Sequence, residues 1–456
     1  MRRAAGLRGL VPVLPRPVWA VLAADGLSAA GSGLTLPFLM VYFHSVRHLG
    51  LGVAGAAVSV VALAGLVGNP LGGAWSDRIG PRAVLAVGWA VAGVGAGAIA
   101  AVDNTWEAFA AAAVSGFGAA LAWPALDVLL ARLAPADQRS SVFALRHATL
   151  NTGLAVGALA ASLIVAQARS SHFVVLYLAD AASFAAAIVL LQFASRAAES
   201  GAAPATDADG AAQAESAAAG ESASGSASGP RGYRAVLADG TFRRLWLLIA
   251  ILVGAGFAQF NASFPVLAIG AGAGAWVVAL AFAANTVTVT VCQLPVLRGA
   301  AGRRRTSAVA VLCVLWMVAW GLVALGGRSG IGAGPLAALF IAAAVLLALG
   351  ETLFSPSLPP LINDIAPEEL RGRYNGASAF AYTIGFAVGP VAAGLLLSHH
   401  ERPLLLGILI VVLGVAAGLA LDTRRRLPEG TDAIDGPSGA SESVPAAEPA
   451  TTEAAL

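Results

Sequence analysis

The sequence predicts an all-α integral membrane protein, with twelve transmembrane helices in two parallel six-helix halves. Three observations carry this. Of 456 residues, 58% are hydrophobic and 11% charged, at a mean hydropathy of +0.79, whereas about a quarter of a soluble domain is charged. Twelve apolar runs follow one another, each long enough to cross a bilayer core, which takes about 20 helical residues at about 1.5 Å each. The second half of the chain repeats the first at one offset.

The runs span 18–43, 49–75, 83–102, 106–131, 142–167, 172–195, 244–270, 275–297, 306–326, 334–362, 374–397 and 403–421; they are called helices 1 to 12 below. They are continuous rather than alternating, which favours helices over a membrane barrel. Arg2, Arg3, Arg8 and Arg16 precede the first run as in a secretory signal. That run is too long for a signal core, so it reads as the first membrane helix. With the N-terminus cytoplasmic, 22 Arg fall in inside segments and four (Arg47, Arg169, Arg328 and Arg402) in outside loops. This split places both termini in the cytoplasm.

Ala134-Pro135 and Ala366-Pro367 both open an inside loop and lie 232 residues apart, as do Arg139 and Arg371, Gly153 and Gly385, and Gly157 and Gly389. Helix 5 therefore corresponds to helix 11. The predicted units are a cytoplasmic N-terminus at 1–17, a first half at 18–196, a flexible linker at 197–243, a second half at 244–421 and a disordered tail at 422–456. The linker and tail are rich in Ala, Ser, Gly, Glu and Asp, the composition of a tether.

Several function classes are excluded. A net charge of +2 gives no electrostatic support for nucleic-acid binding, and two Cys exclude a disulfide scaffold. There is no phosphate loop with Lys, no H-E-x-x-H and no Cys/His cluster. An enzyme, a metal and an ATP energy source are therefore not expected.

The loop between helices 2 and 3 reads Gly72-Gly73-Ala74-Trp75-Ser76-Asp77-Arg78-Ile79-Gly80-Pro81-Arg82. It resembles the G-x-L-x-D-R-x-G-R-[RK] signature of the major facilitator superfamily at Gly73, Asp77, Arg78, Gly80 and Arg82; Trp75 and Pro81 depart from it. The counterpart loop, Leu297 to Arg305, keeps only Gly302 and basic residues. Physically, Gly73 would let helix 2 approach a neighbour closely and Gly80 would permit a tight turn. The resemblance implies that Asp77 latches the first half to the start of helix 11, near Asn375 and Gly376, when the transporter faces outward. Helix 11 carries Gly376, Gly385, Gly389-Pro390 and Gly394, similar to the antiporter signature that the family places in helix 5. Here packing and gating are both open. Patterns around Asp180 and Glu351 resemble bacterial drug-efflux members.

Ionisable groups inside a span face water or a partner. Asp25, Ser28, Ser32 and Thr35 share a face of helix 1, and a polar stripe of this kind is expected to face a cavity, where Asp25 could carry a proton or meet a cationic substrate. Asp127, ending helix 4, and Arg146, starting helix 5, are placed to pair, as a structural bond or as a switch. Glu351 precedes a proline-broken segment of helix 10, where freed carbonyls can line a cavity and a carboxylate could bind and release protons. For Asp180, in helix 6, a cavity-facing role and packing against a polar neighbour are both open. Gln259, Asn261, Thr286, Thr290, Ser378 and Tyr382 are candidate cavity liners, with interhelical hydrogen bonding as the usual alternative use of such groups.

The expected function is proton-coupled export of small drug-like molecules by alternating access, without a cofactor, by a monomer in a bacterial plasma membrane. The partners are substrate, protons and lipid. An uptake permease and a non-transporting sensor or scaffold are the alternatives.

Overall fold

A computed structural model of the chain describes residues 14–135, 138–165, 170–199, 230–328, 330–428 and 430–434. The described residues hold twelve helices long and apolar enough to cross a membrane. We label them α1 (Arg16–Val46), α2 (Leu51–Ile79), α3 (Pro81–Ala100), α4 (Thr105–Leu133), α5 (Ser141–Ile164), α6 (Ser171–Gln192), α7 (Gly240–Asn261), α8 (Ala275–Ala300), α9 (Arg305–Gly326), α10 (Ala333–Ile365), α11 (Glu368–Ser398) and α12 (Arg402–Arg426). All twelve predicted runs are present in order. Most of the predicted linker lies outside the described residues, but its end is a helix, Pro230–Ala238. Asp239 follows it and caps α7, accepting from the Thr241 and Phe242 N–H groups and from the Tyr374 hydroxyl of α11.

Small residues decide how the helices pack, because lipid gives apolar side chains no preference for the protein interior. In the first half, α1 lies on α5: a Cβ on Gly153 would sit 2.5 Å from the Gly26 carbonyl, and one on Gly33 would sit 2.5 Å from the Leu154 carbonyl. Gly157 abuts the Ala30 carbonyl just as closely. In the second half, α11 meets α7 the same way, with Gly389 against the Gly254 carbonyl and Gly385 against that of Ala250. Gly153 and Gly157 thus pack on α1 as Gly385 and Gly389 pack on α7, which is the repeat of the sequence in three dimensions.

This packing sets a first prediction. Gly157→Val puts a branched side chain against backbone that cannot yield and costs about 1–3 kcal/mol or more. Its unfolding midpoint, followed by size-exclusion chromatography after heating, is expected to fall well below that of Leu163→Val, a change on an exposed residue of the same helix.

The halves touch through α5 and α8 and through α2 and α11, the latter at the end remote from the termini. There Gly55 abuts the Pro390 carbonyl, and a Cβ on Gly394 would come 2.5 Å from the Leu51 carbonyl. None of residues 51–60 is exposed, whereas Ala74, Trp75, Asp77, Arg78 and Ile79 at the other end of α2 all are. Arg371, Gly372, Asn375 and Gly376 at the facing end of α11 are exposed too. The halves therefore meet at one end and part at the end that carries the termini.

Candidate functional site

A cavity of about 150 Å³ lies between the halves. The first half contributes Gly33, Leu36 and Pro37 of α1 and Asn151, Leu154 and Ala158 of α5. The second half contributes an aromatic wall. Phe260 of α7 stacks on Phe282 of α8 with ring centroids 4.2 Å apart, and Phe257 meets Trp316 edge-on at 5.4 Å. The Trp316 ring is fixed by its own N–H, which donates to the Leu347 carbonyl at 2.8 Å. Asn261, Asn285 and Thr286 add polar groups to this wall, and Glu351 is its one ionisable residue. Glu351 sits three residues before the end of the regular helix at Phe354, and the chain turns through Ser355–Ser357 before resuming at Leu358. The predicted proline break is therefore real and lies next to the cavity.

Of the residues predicted to line a cavity, Asn261 and Thr286 do so, together with Glu351. Ser28, Ser32, Gln259, Thr290, Ser378 and Tyr382 do not line this cavity. The stripe on α1 faces other helices: Thr35 donates to the Asp180 carboxylate at 2.9 Å, and Ser28 donates to the Asp25 carbonyl in the buried interior. Ser32, half-buried, lies on that same face. Gln259 joins α7 to α11, donating to the Gly389 carbonyl at 2.9 Å and accepting from Ser263. Thr290 is exposed one turn beyond Thr286, Ser378 is buried within the helix packing, and Tyr382 packs edge-on against Phe354. Gly73 is a further correction. A Cβ there meets nothing within 4 Å, whereas one on Gly72 would sit 2.5 Å from the Leu121 carbonyl. The close approach of α2 to α4 runs through the neighbouring glycine.

A second polar cluster lies inside the first half. Arg146 of α5 donates to the Asp127 carboxylate of α4, the pairing that the sequence predicts. Its Nε is also 3.8 Å from Asp25 of α1, which is 6% exposed. The guanidinium carbon sits 4.9 Å from the centroid of the Trp123 ring, a cation–π contact. One arginine thus serves two carboxylates from two helices. Asp180, 5% exposed, packs against Thr35 rather than the cavity.

At the parted end, Gly80 takes φ 86°, the left-handed turn expected of it, and leads directly into α3. Arg82 donates to the Gln192 side chain at 2.8 Å. Asp77 and Arg78 are exposed and have no hydrogen-bond or ion-pair partner among the described residues, and Asn375 bonds Asn363 instead. The predicted Asp77 latch is unmade in this conformation. On α11, Gly385 and Gly389 pack against α7, while Pro390 and Gly394 touch α2 of the other half.

Sequence reasoning overlooked Asn151, Asn285 and the aromatic wall. Asn151 and Asn285 could have been found as amides inside apolar helices. The aromatics carry no signal that separates a cavity wall from core.

Comparison with known proteins agrees with this architecture. The Na(+), Li(+), K(+)/H(+) antiporter of Planococcus maritimus is 23% identical over 386 residues, 79% of this chain and 84% of its own length. An uncharacterised MFS-type transporter of Bacillus subtilis, YttB, is 23% identical over 90% of this chain and 96% of its own. The quinolone resistance protein NorA of Staphylococcus aureus is 26% identical over 174 residues, 38% of this chain and 44% of NorA. Among solved structures, the nucleoside transporter NupG superposes with a TM-score of 0.68 at 13% identity, covering 90% of this chain and 98% of NupG. A profile of the Major Facilitator Superfamily matches residues 18–333 and 301–446. This twelve-span membrane protein, a transporter and not an enzyme, belongs to the major facilitator superfamily.

Proposed function

We propose that the chain exports small, drug-like molecules in exchange for protons, as a monomer in the bacterial plasma membrane with both termini cytoplasmic. The observation that carries this reading is the cavity between the halves, where one carboxylate, Glu351, faces an aromatic wall. Such a site suits an organic molecule that is neutral or bears one positive charge, through stacking and charge pairing. In this orientation the parted end is the cytoplasmic one, so the cavity takes its substrate from inside. Glu351 exchanges a proton for the substrate. Asp25 and Asp127 compete for Arg146, and protonating either one hands the guanidinium to the other. This couples a proton to the mutual positions of α1, α4 and α5. Asp180 holds α6 to α1. Asp77 and Arg78, with Gly73 at the end of α2, the turn at Gly80 and Arg82 at the start of α3, latch onto α11 near Gly376 when the cytoplasmic end closes. The proton gradient supplies the energy and no cofactor takes part.

The test uses the purified protein in proteoliposomes with a trapped pH dye. An imposed proton gradient and a panel of lipophilic cations and neutral drugs are expected to give substrate-evoked proton flux. Glu351→Gln is expected to lower that flux at least tenfold while leaving the unfolding midpoint within about 2 °C of wild type, because the carboxylate exchanges protons rather than supporting the fold. The similarity to a cation/H⁺ antiporter supports one further reading, exchange of Na⁺ or K⁺ for protons. Salt pulses in the same liposomes read it out. Flux with salt alone would favour that reading. Substrate uptake against the predicted direction would identify a permease, and binding without any flux would identify a sensor.

A further inference from the structure

The final described residues, 430–434, fold back onto the turn between α8 and α9. Gly430 turns the chain with φ 88°. The Ile434 N–H donates to the Arg303 carbonyl, and the Ile434 carbonyl accepts from the Gly302 N–H, both at 2.9 Å. The Arg305 N–H donates to the Asp432 carbonyl at 2.6 Å, so Arg304 and Ala433 face each other as an antiparallel pair. The Asp432 carboxylate accepts from the Thr306 N–H at 2.9 Å and from the Thr306 hydroxyl at 2.8 Å. It therefore caps the first turn of α9, where the free N–H groups of a helix favour an anion. Ile434, 2% exposed, fills a small apolar socket made by Ala300 of α8, Ala308 of α9 and, at its edge, Leu297 and Leu353. Arg305, also 2% exposed, donates to the Thr431 carbonyl at 2.9 Å and to the Asp364 carboxylate at the end of α10.

The two equivalent turns differ in what the chain supplies to them. The turn from α2 to α3 holds Asp77 three residues before Gly80, with φ 86°. The turn from α8 to α9 holds Gly299 three residues before Gly302, with φ 71°. The second turn has the same left-handed glycine and no carboxylate at the matching position. Asp432 brings a carboxylate from outside the repeat and gives α9 a side-chain cap that α3 lacks.

We propose that residues 430–434 are a brace, a ligand that the chain supplies to its own α8–α9 turn, and that this brace binds the ends of α8, α9 and α10 into one body. Its contacts named above lie within the second half, so it stays docked while the halves rock. This role does not depend on which substrate is moved.

Two measurements test it. In a chain with Cys292 and Cys313 replaced by Ala, Arg304→Cys and Ala433→Cys are introduced together. A facing pair without direct hydrogen bonds has Cα atoms about 4.5 Å apart, within disulfide range. Mild oxidation in native membranes is expected to remove maleimide labelling of both cysteines, with recovery on reduction, and adding Asp432→Ala is expected to abolish this protection. Separately, a chain ending at Leu427 is expected to unfold at a lower temperature than the full chain, while one ending at Asp435 unfolds with it. Failure of the cysteines to join, or equal unfolding temperatures for the two truncations, would overturn the brace.

Discussion

Arg146→Ala is expected to abolish transport and to destabilise the protein more than loss of either carboxylate. The guanidinium bonds Asp127 and lies 3.8 Å from Asp25. Its removal leaves Asp25, 6% exposed, as a buried charge with no cation paired to it among the described residues. Breaking a buried pair from one side in this way costs about 3–5 kcal/mol. Asp127→Asn costs less, since Arg146 keeps Asp25 beside it. Arg146→Lys is expected to recover part of the stability and little of the transport, because a lysine lacks the planar fork that reaches two carboxylates while stacking on Trp123. Adding Asp25→Asn to Arg146→Ala is expected to restore stability without restoring flux. Unfolding midpoints of the four purified variants, set beside their proton flux in liposomes, check the series. Equal midpoints for Arg146→Ala and Asp127→Asn would show that Asp25 does not depend on Arg146.

Gly55→Val is expected to shift the protein away from the conformation described here. Gly55 lies directly against the Pro390 carbonyl across the two halves, and Gly394 lies equally close to Leu51. A side chain there must push the halves apart at the end where they now meet. A wedge costing about 1–3 kcal/mol in this state alone would lower its population roughly 5- to 150-fold relative to the alternative. Transport slows accordingly, since a carrier must visit both states. Spin labels at Gly50 and His399, exposed residues beside the α2–α11 contact, report the change. The parent is expected to show a short distance and Gly55→Val a longer one. An unchanged distance would mean that the contact yields without moving the halves.

The sequence made the spans, the repeat and the Asp127–Arg146 pair legible, for different reasons. Hydropathy reports length, and length is what a bilayer demands of a helix. The repeat was visible because the same glycines must admit the same carbonyls in both halves. Asp127 and Arg146 lie on consecutive antiparallel helices at matching depth, so connectivity alone brought them together. What sequence could not convey was rotation about each helix axis. The α1 stripe of Asp25, Ser28, Ser32 and Thr35 was correct as a face, yet a face turned toward α5 and α6 looks the same in sequence as one turned toward a cavity. Membrane helices are apolar on both lipid and protein sides, so no amphipathic pattern resolves the difference. The approach of Asp25 to Arg146 joins helices that are not consecutive, and the docking of Asp432 on α9 spans 126 residues. Neither contact leaves a local trace.

In the proposed mechanism, one cavity between the halves opens alternately to the two sides of the membrane. Thr286→Cys, on the cavity wall in a chain with Cys292 and Cys313 replaced by Ala, tests it with an impermeant maleimide applied from either side of sealed membrane vesicles. Labelling is expected from the side of the termini at rest, and from the opposite side when Gly55→Val is added or a proton gradient is imposed with a transported substrate. Labelling from the same single side under every condition, or from both sides at once at rest, would contradict it.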